Sequence, residues 1–231
     1  MGEPALTVHT DRQYEEELSE LRQQILTMGG LVEKQIANAI QALVTRDRAL
    51  AEMTIQKDHA VNALDVAIDE LCLRLLALRQ PAGRDLRFIT TALKITTDLE
   101  RIGDRAVTIS ERAIELGSEP PLKPYIDIPR MADISLSMLR RSLDAFIRED
   151  PELALAVCRS DDEVDKLNGQ IFRELLSYMI EDPQTITRAM RILFVSKYLE
   201  RIADHATNIA EMVVFMVKGK SIRHTTVPPE V

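Results

Sequence analysis

The sequence predicts an all-α protein made of two tandem, pseudo-symmetric three-helix bundles. Three observations carry this expectation. Apolar residues recur at every third or fourth position along most of the chain. Prolines fall between those periodic stretches, where an interior proline would cost a helix about 3 kcal/mol. A segment of the third stretch also returns, one hundred residues later, in the sixth.

The first stretch sets Leu18, Leu21, Ile25, Met28, Val32, Ile36, Ala39 and Leu43 on one helical face. Within it, Met28-Gly29-Gly30 is expected to interrupt the helix and to let another helix approach closely. It is no phosphate loop, since no Gly-Lys-Ser/Thr comes after it. Thr45-Arg46-Asp47 breaks the pattern, with Asp47 suited to cap the next helix. The second stretch carries Leu50, Met53, Ala60, Leu64, Ala67, Ile68, Leu71, Leu75 and Leu78. The third carries Leu86, Ile89, Leu93, Leu99, Ile102, Ala106, Ile109 and Ala113. A proline-rich connector, 117–129, leads to three more stretches at about 130–148, 151–181 and 184–218. Two of these open on Asp150-Pro151 and Asp182-Pro183. An aspartate there accepts from the free N–H groups of the first turn, and proline suits a position whose N–H has no helical partner. The expected organisation is a first bundle over 1–118, a linker over 119–129, a second bundle over 130–220 and a flexible tail over 221–231.

The duplication is specific. Leu99-Glu100-Arg101-Ile102-Gly103-Asp104 returns as Leu199-Glu200-Arg201-Ile202-Ala203-Asp204, and from 99 to 111 eight of thirteen positions are identical at that offset.

Composition excludes several classes. The 231 residues are 45% hydrophobic, enough for a substantial core. The most apolar stretch, Met212 to Val217, falls far short of the ~20 residues of a membrane helix, so no direct membrane insertion is expected. The amino terminus lacks the basic and apolar regions of a secretory signal. Two cysteines, Cys72 and Cys158, form no CxxC and lie on apolar stretches, as expected of core residues in a reducing cytoplasm. A net charge of -8 and the absence of tryptophan argue against a nucleic-acid partner.

The chemistry lies in the acids. At about 100° per residue, Glu100 falls about 100° and Asp104 about 140° round the helix from Leu99, off the core face. Glu200 and Asp204 repeat the arrangement, and Asp58, Asp65 and Asp69, then Asp161 and Asp165, form stripes on the preceding stretches. Glu100/Asp104, Glu200/Asp204, Asp65/Asp69 and Asp161/Asp165 are all one turn apart, where like charges repel by about 0.2–0.5 kcal/mol. Two kinds of compensation stay open. Nearby Arg101, Arg105 and Arg201 can supply positive charge, or a divalent cation such as Mg²⁺, Mn²⁺, Fe or Zn²⁺ can be held between carboxylates. No catalytic group emerges: His205 has no nucleophile beside it and reads as a surface residue, and the inward Glu-x-x-His pairs of di-iron bundles are missing. The turn from Gln80 to Arg87 exposes two arginines at a helix start. Arg84 and Arg87, with Arg101 and Arg201, are the candidate partner-binding positive charges.

Several of these segments together resemble the PhoU family. They are Arg79-Gln80-Pro81, Asp85-Leu86-Arg87 and Leu99 to Asp104, with Met28-Gly29-Gly30-Leu31-Val32-Glu33 before them and Tyr198 to Asp204 as the second copy. The similarity runs over nearly the whole chain. The resemblance implies a non-enzymatic cytoplasmic regulator of phosphate uptake. It implies a negative regulator of the phosphate-starvation response, an adaptor between the ATPase subunit of the phosphate ABC transporter and a sensor histidine kinase, and frequent homodimerisation. Some family members bind iron or zinc clusters through Glu/Asp-x-x-x-Asp pairs. Carried over, these are Glu100 with Asp104, Glu200 with Asp204, Asp161 with Asp165, and Asp65 with Asp69. Asp58 departs from the pattern, being followed four residues later by Asn62. The alternative reading is a metal-binding helical bundle with a storage or metal-dependent catalytic role.

Overall fold

Seven helices make up the described part of the chain, residues 5–222 of a computed structural model. They are α1 (Ala5–Thr45), α2 (Arg48–Gln56), α3 (His59–Arg79), α4 (Gly83–Gly117), α5 (Asp127–Arg148), α6 (Pro151–Glu181) and α7 (Ile186–Lys218), with a 3₁₀ turn at Pro183–Thr185. There is no strand among the described residues. The first bundle is α1, the α2–α3 rod and α4; the second is α5, α6 and α7. From residue 223 the expected tail lies outside the described residues.

Helix starts obey the local chemistry. Asp47 accepts from the Leu50 N–H at 3.0 Å, Asp150 from those of Glu152 and Leu153 at 3.0 Å, and Asp182 from that of Gln184 at 2.9 Å. Each satisfies donors that the first turn leaves free. α5 begins at Asp127, three residues earlier than the sequence suggests. Pro129 then sits in the first turn, where its missing N–H costs no bond.

Two expectations are corrected. α1 runs uninterrupted through Met28-Gly29-Gly30. Gly29 is buried, and a Cβ there would collide with the Cδ1 of Leu143 on α5. The glycine therefore permits the close approach without breaking the helix. The second rod, in contrast, breaks at Lys57, whose N–H bonds back to the Met53 carbonyl while the Asp58 N–H bonds to that of Ile55. Asp58 makes no side-chain cap on α3. Its carboxylate accepts instead from Gln35 Nε2 on α1 at 3.1 Å and from Asn62 Nδ2 at 2.9 Å.

One apolar core runs through both halves. α4 packs against α7 as extensively as against α1, and α1 also packs on α5. At this seam Phe88 and Phe146 stack with ring centroids 5.4 Å apart, and the Arg22 guanidinium lies 4.8 Å above the Phe88 ring. The connector is strapped down. Arg46 donates to the carbonyls of Gly117 and Glu119, Arg188 to that of Pro120, and Arg191 pairs with Glu115 and Glu119. Lys123 is buried and paired with Glu174.

The repeat is visible in packing as well as in sequence. Residue by residue, the burial of 99–110 and of 199–210 is the same. The glycine at 103, where the second copy has Ala203, has a local reason. A Cβ on Gly103 would stand 3.2 Å from Gln35 Oε1 and 3.4 Å from Asp58 Oδ1.

Candidate functional site

The acid stripes of neighbouring helices come together because α3 lies on α4 and α6 on α7. In the first bundle Asp58 and Asp65 face Glu100 and Asp104, with Asp69 acting on Asp65 from one turn further along α3. In the second, Asp161 and Asp165 face Glu200 and Asp204. All four i,i+4 pairs share a pattern: the first member (Asp65, Glu100, Asp161, Glu200) is half-buried and the second (Asp69, Asp104, Asp165, Asp204) is exposed. The acids are therefore not one outward stripe, since half of them lean toward the helix interface.

That placement makes carboxylate ionisation harder. Burial raises the pKa of Glu100, and the charges of Asp104, Asp65 and Asp58 add to it while Arg101 opposes them. Burial and then Asp69 raise that of Asp65. In the second bundle Asp161 is pushed up to about 6, first by burial and then by Asp204, Asp165, Asp162 and Glu200. Asp165 and Asp204 are raised by loss of surrounding water and then by Glu200, with Lys197 acting against both shifts. Lys197 forms an ion pair with Glu200. Each patch offers the hard oxygen ligands that divalent cations take. Among the described residues, however, no three His, Cys, Asp or Glu side chains are gathered as a cation site requires. As they stand, the patches are concentrated negative charge without a preformed cage.

The candidate arginines divide. Arg84 forms an ion pair with Glu149, the αL residue that ends α5, and Glu149 also accepts from Arg22 at 3.0 Å. Arg87 Nε donates to the Met216 carbonyl at 3.0 Å. Both tie the start of α4 to the second bundle. Arg101 and Arg201 lie exposed beside the two acid patches.

His205 is not a surface residue. Its Nδ1 lies 2.8 Å from Asp98 Oδ1, and its side chain is 13% exposed and that of Asp98 8%. Asn208 Nδ2 stands 3.5 Å from the same oxygen. The sequence reading missed this cluster because it forms only where α7 covers α4. A signal was present: Asp98 falls about 20° from Ile109 on the helical wheel, an acid on the core side. Cys72 is buried, its thiol pushed up to about 12 mainly by that burial, and half-buried Cys158 packs against the core.

A family model described as "PhoU domain" matches the chain twice, over residues 25–113 and 128–213. A Pseudomonas putida protein named phosphate-specific transport system accessory protein PhoU homolog is 43% identical over 227 residues, covering 97% of this chain and 88% of its own. The Escherichia coli K12 phosphate-specific transport system accessory protein PhoU is 39% identical over 219 residues, covering 95% and 91%. The crystal structure of PhoU from Pseudomonas aeruginosa superposes with a TM-score of 0.87 at 43% identity, covering 90% of this chain and all of that one. The corresponding regulatory protein from Streptococcus pneumoniae superposes at 0.84 with 33% identity, covering 90% and 98%. With both halves matched and relatives this similar end to end, the chain belongs to the PhoU family.

Proposed function

We propose that this protein is a non-enzymatic, cytoplasmic negative regulator of the phosphate-starvation response. It acts as an adaptor between the ATPase subunit of the phosphate ABC transporter and the sensor histidine kinase, and it works as a homodimer. The observation that carries this reading is the pair of matched carboxylate patches on a frame whose bundles share one core and whose connector is strapped down. Such a frame holds two charged surfaces at a fixed separation, which is what bridging two partners demands. Complementary charge would set partner choice and encounter rate more than affinity. The names of the relatives, accessory proteins of phosphate-specific transport, point the same way. The test is deletion of the gene with an alkaline-phosphatase reporter in phosphate-rich medium, joined to titration of the protein with kinase and ATPase. Constitutive expression and binding to both are expected. A reporter that stays repressed, or binding to neither partner, overturns the reading.

A second reading, divalent-cation binding at the patches, is favoured by the mutual raising of the carboxyl pKa values, which an arriving cation would relieve. Metal analysis of the purified protein, with iron and zinc the leading ions, alongside Glu100→Gln and Glu200→Gln variants separates it from the first. Negligible metal and normal regulation by the variants would remove it.

A further inference from the structure

Away from the acid patches, the second bundle exposes apolar side chains that its own core does not use. Phe172, Leu176 and Ile180 line α6 and are 48%, 42% and 73% exposed; Ile186, Met190 and Phe194 line α7 and are 45%, 36% and 46% exposed. A groove of about 410 Å³ lies between the two helices, with Phe172, Leu193 and Phe194 along it and Arg173 and Lys197 at its edge. Traced along α6, the same surface passes from Ile180 through Phe172 to Asp165 and Asp161. Along antiparallel α7 it passes from Ile186 through Phe194 to Glu200 and Asp204. The α6/α7 surface is therefore apolar at one end and acidic at the other, over some 30 Å at 1.5 Å per residue, with the groove and its two cations between the ends.

The first bundle shares this feature only in part: Leu86 is exposed as Ile186 is, but the aromatic centre is missing. At the offset of the repeat, Met190 and Phe194 correspond to Thr90 and Lys94, while Leu193 corresponds to Leu93. The same frame thus carries polar residues at two of these positions without loss of packing, and the exposed hydrocarbon is not a requirement of the fold. Contiguous exposed apolar surface of this kind marks an interaction site.

We infer that this groove is the docking site for an amphipathic helix of a partner protein, with aliphatic or aromatic anchors at one end and lysines or arginines at the other. The charge pattern selects that occupant. Basic residues meet Asp161, Asp165 and Asp204, while apolar anchors cover Phe172, Phe194 and Ile180. Of the positive groups here, Lys197 is paired with Glu200, Arg173 stands midway, and exposed Arg201 lies beside the acidic end, where Asp161, Asp165 and Asp204 outnumber it. A second copy laid lengthwise would set its own acids against these acids or against hydrocarbon. Anionic lipid headgroups would meet the acidic end. Helix-in-groove recognition of this type reads anchors spaced three or four residues apart.

This inference rests on the adaptor reading and names the surface and chemistry by which one partner is held. The test uses the full chain and synthetic peptides of about seven helical turns, tiled across the cytoplasmic part of the kinase and across the transporter ATPase, titrated by fluorescence anisotropy. The expected result is binding of a tile with separate apolar and basic ends. Affinity should fall about tenfold or more in Phe172→Lys and in the double variant Met190→Thr/Phe194→Lys, since truncating a central aromatic anchor has effects of that order. Glu200→Lys should lower the salt dependence. Leu73→Lys, at an exposed apolar residue of the first bundle, should change nothing. Thermal melts show that the variants fold, as the Thr90/Lys94 pair of the first bundle leads one to expect. Absence of a binding tile, equal binding by the groove variants, or loss of dimerisation as their sole effect each overturns the inference. The reporter separates the two levels. If deletion leaves it repressed, the adaptor reading fails; if deletion derepresses it while the groove variants repress like wild type, this inference alone fails.

Discussion

Replacing Gly29 with alanine probes the seam between the bundles, and Gly30 beside it supplies an internal reference. Both lie inside α1, where alanine is favoured over glycine by about 1 kcal/mol. At Gly30 a Cβ meets nothing within 4 Å, so Gly30→Ala should stabilise the protein by about 0.5–1 kcal/mol. At Gly29 the same Cβ collides with Leu143 Cδ1, while Cγ and Cδ2 stand at ordinary contact distances of 3.7 and 3.8 Å. One methyl group must move, and Leu143 is only 4% exposed, so it has little room. Overpacking of this kind costs about 1–3 kcal/mol. The helix-propensity gain offsets part of it, which leaves Gly29→Ala destabilised by roughly 1 kcal/mol and about 2 kcal/mol below Gly30→Ala. Leu143→Val removes the colliding branch at a cost near 1 kcal/mol on its own. In the double variant the collision is gone and the propensity gain remains, so the pair should be favourably coupled by about 1–2 kcal/mol. Urea unfolding monitored by far-ultraviolet circular dichroism measures all four proteins. Because one core joins the halves, each should unfold in a single transition. Equal stability of the two alanine variants would refute the reasoning, for it would mean that α1 and α5 are not in close contact at Gly29.

Other outcomes come from the same packing. Asp161 has a native pKa of about 6 against an ordinary value of 3.8, so its carboxylate opposes folding above pH 6. The native state takes up the proton first, and stability should rise as pH falls from about 7 toward 4, by roughly 1 kcal/mol once solvent screening is allowed for. Asp161→Asn should stabilise the protein at neutral pH and flatten that dependence in urea melts; an unchanged neutral midpoint would count against it. His205→Ala leaves Asp98 buried without its 2.8 Å partner and should cost about 2–3 kcal/mol in denaturant unfolding. A loss below about 0.5 kcal/mol, typical of a surface substitution, would contradict the seam described for α4 and α7. Added Mn²⁺ or Zn²⁺ should raise the melting temperature of the wild type by relieving repulsion within the patches, and less so in Glu100→Gln/Glu200→Gln. An equal rise in both proteins would place the cation elsewhere.

Features that depend on near neighbours could be read in advance. The Asp47, Asp150 and Asp182 caps, the phase of Leu99, Ile102 and Ala106, and the one-turn spacing of Glu100 and Asp104 are all set within a few residues by helix geometry. The break at Lys57 escaped because Asp58 is held by Gln35, twenty-three positions away. Arg84 and Arg87 read as free positive charge because Glu149 and the Met216 carbonyl are distant in sequence. Phe172 and Phe194 lie within the helical stretches at 151–181 and 184–218, and periodicity does not reveal which side of a helix its neighbours leave bare.

By itself the sequence determined an all-helical duplication and acids one turn apart on its helices, because the helical period converts spacing into direction along a single rod. Only the tertiary structure decided which rods lie side by side. That turned lone pairs into two patches, drew His205 onto Asp98, and left hydrocarbon uncovered along α6 and α7. Contacts between helices depend on shape and burial summed over distant segments, and no local stretch of chain encodes that sum.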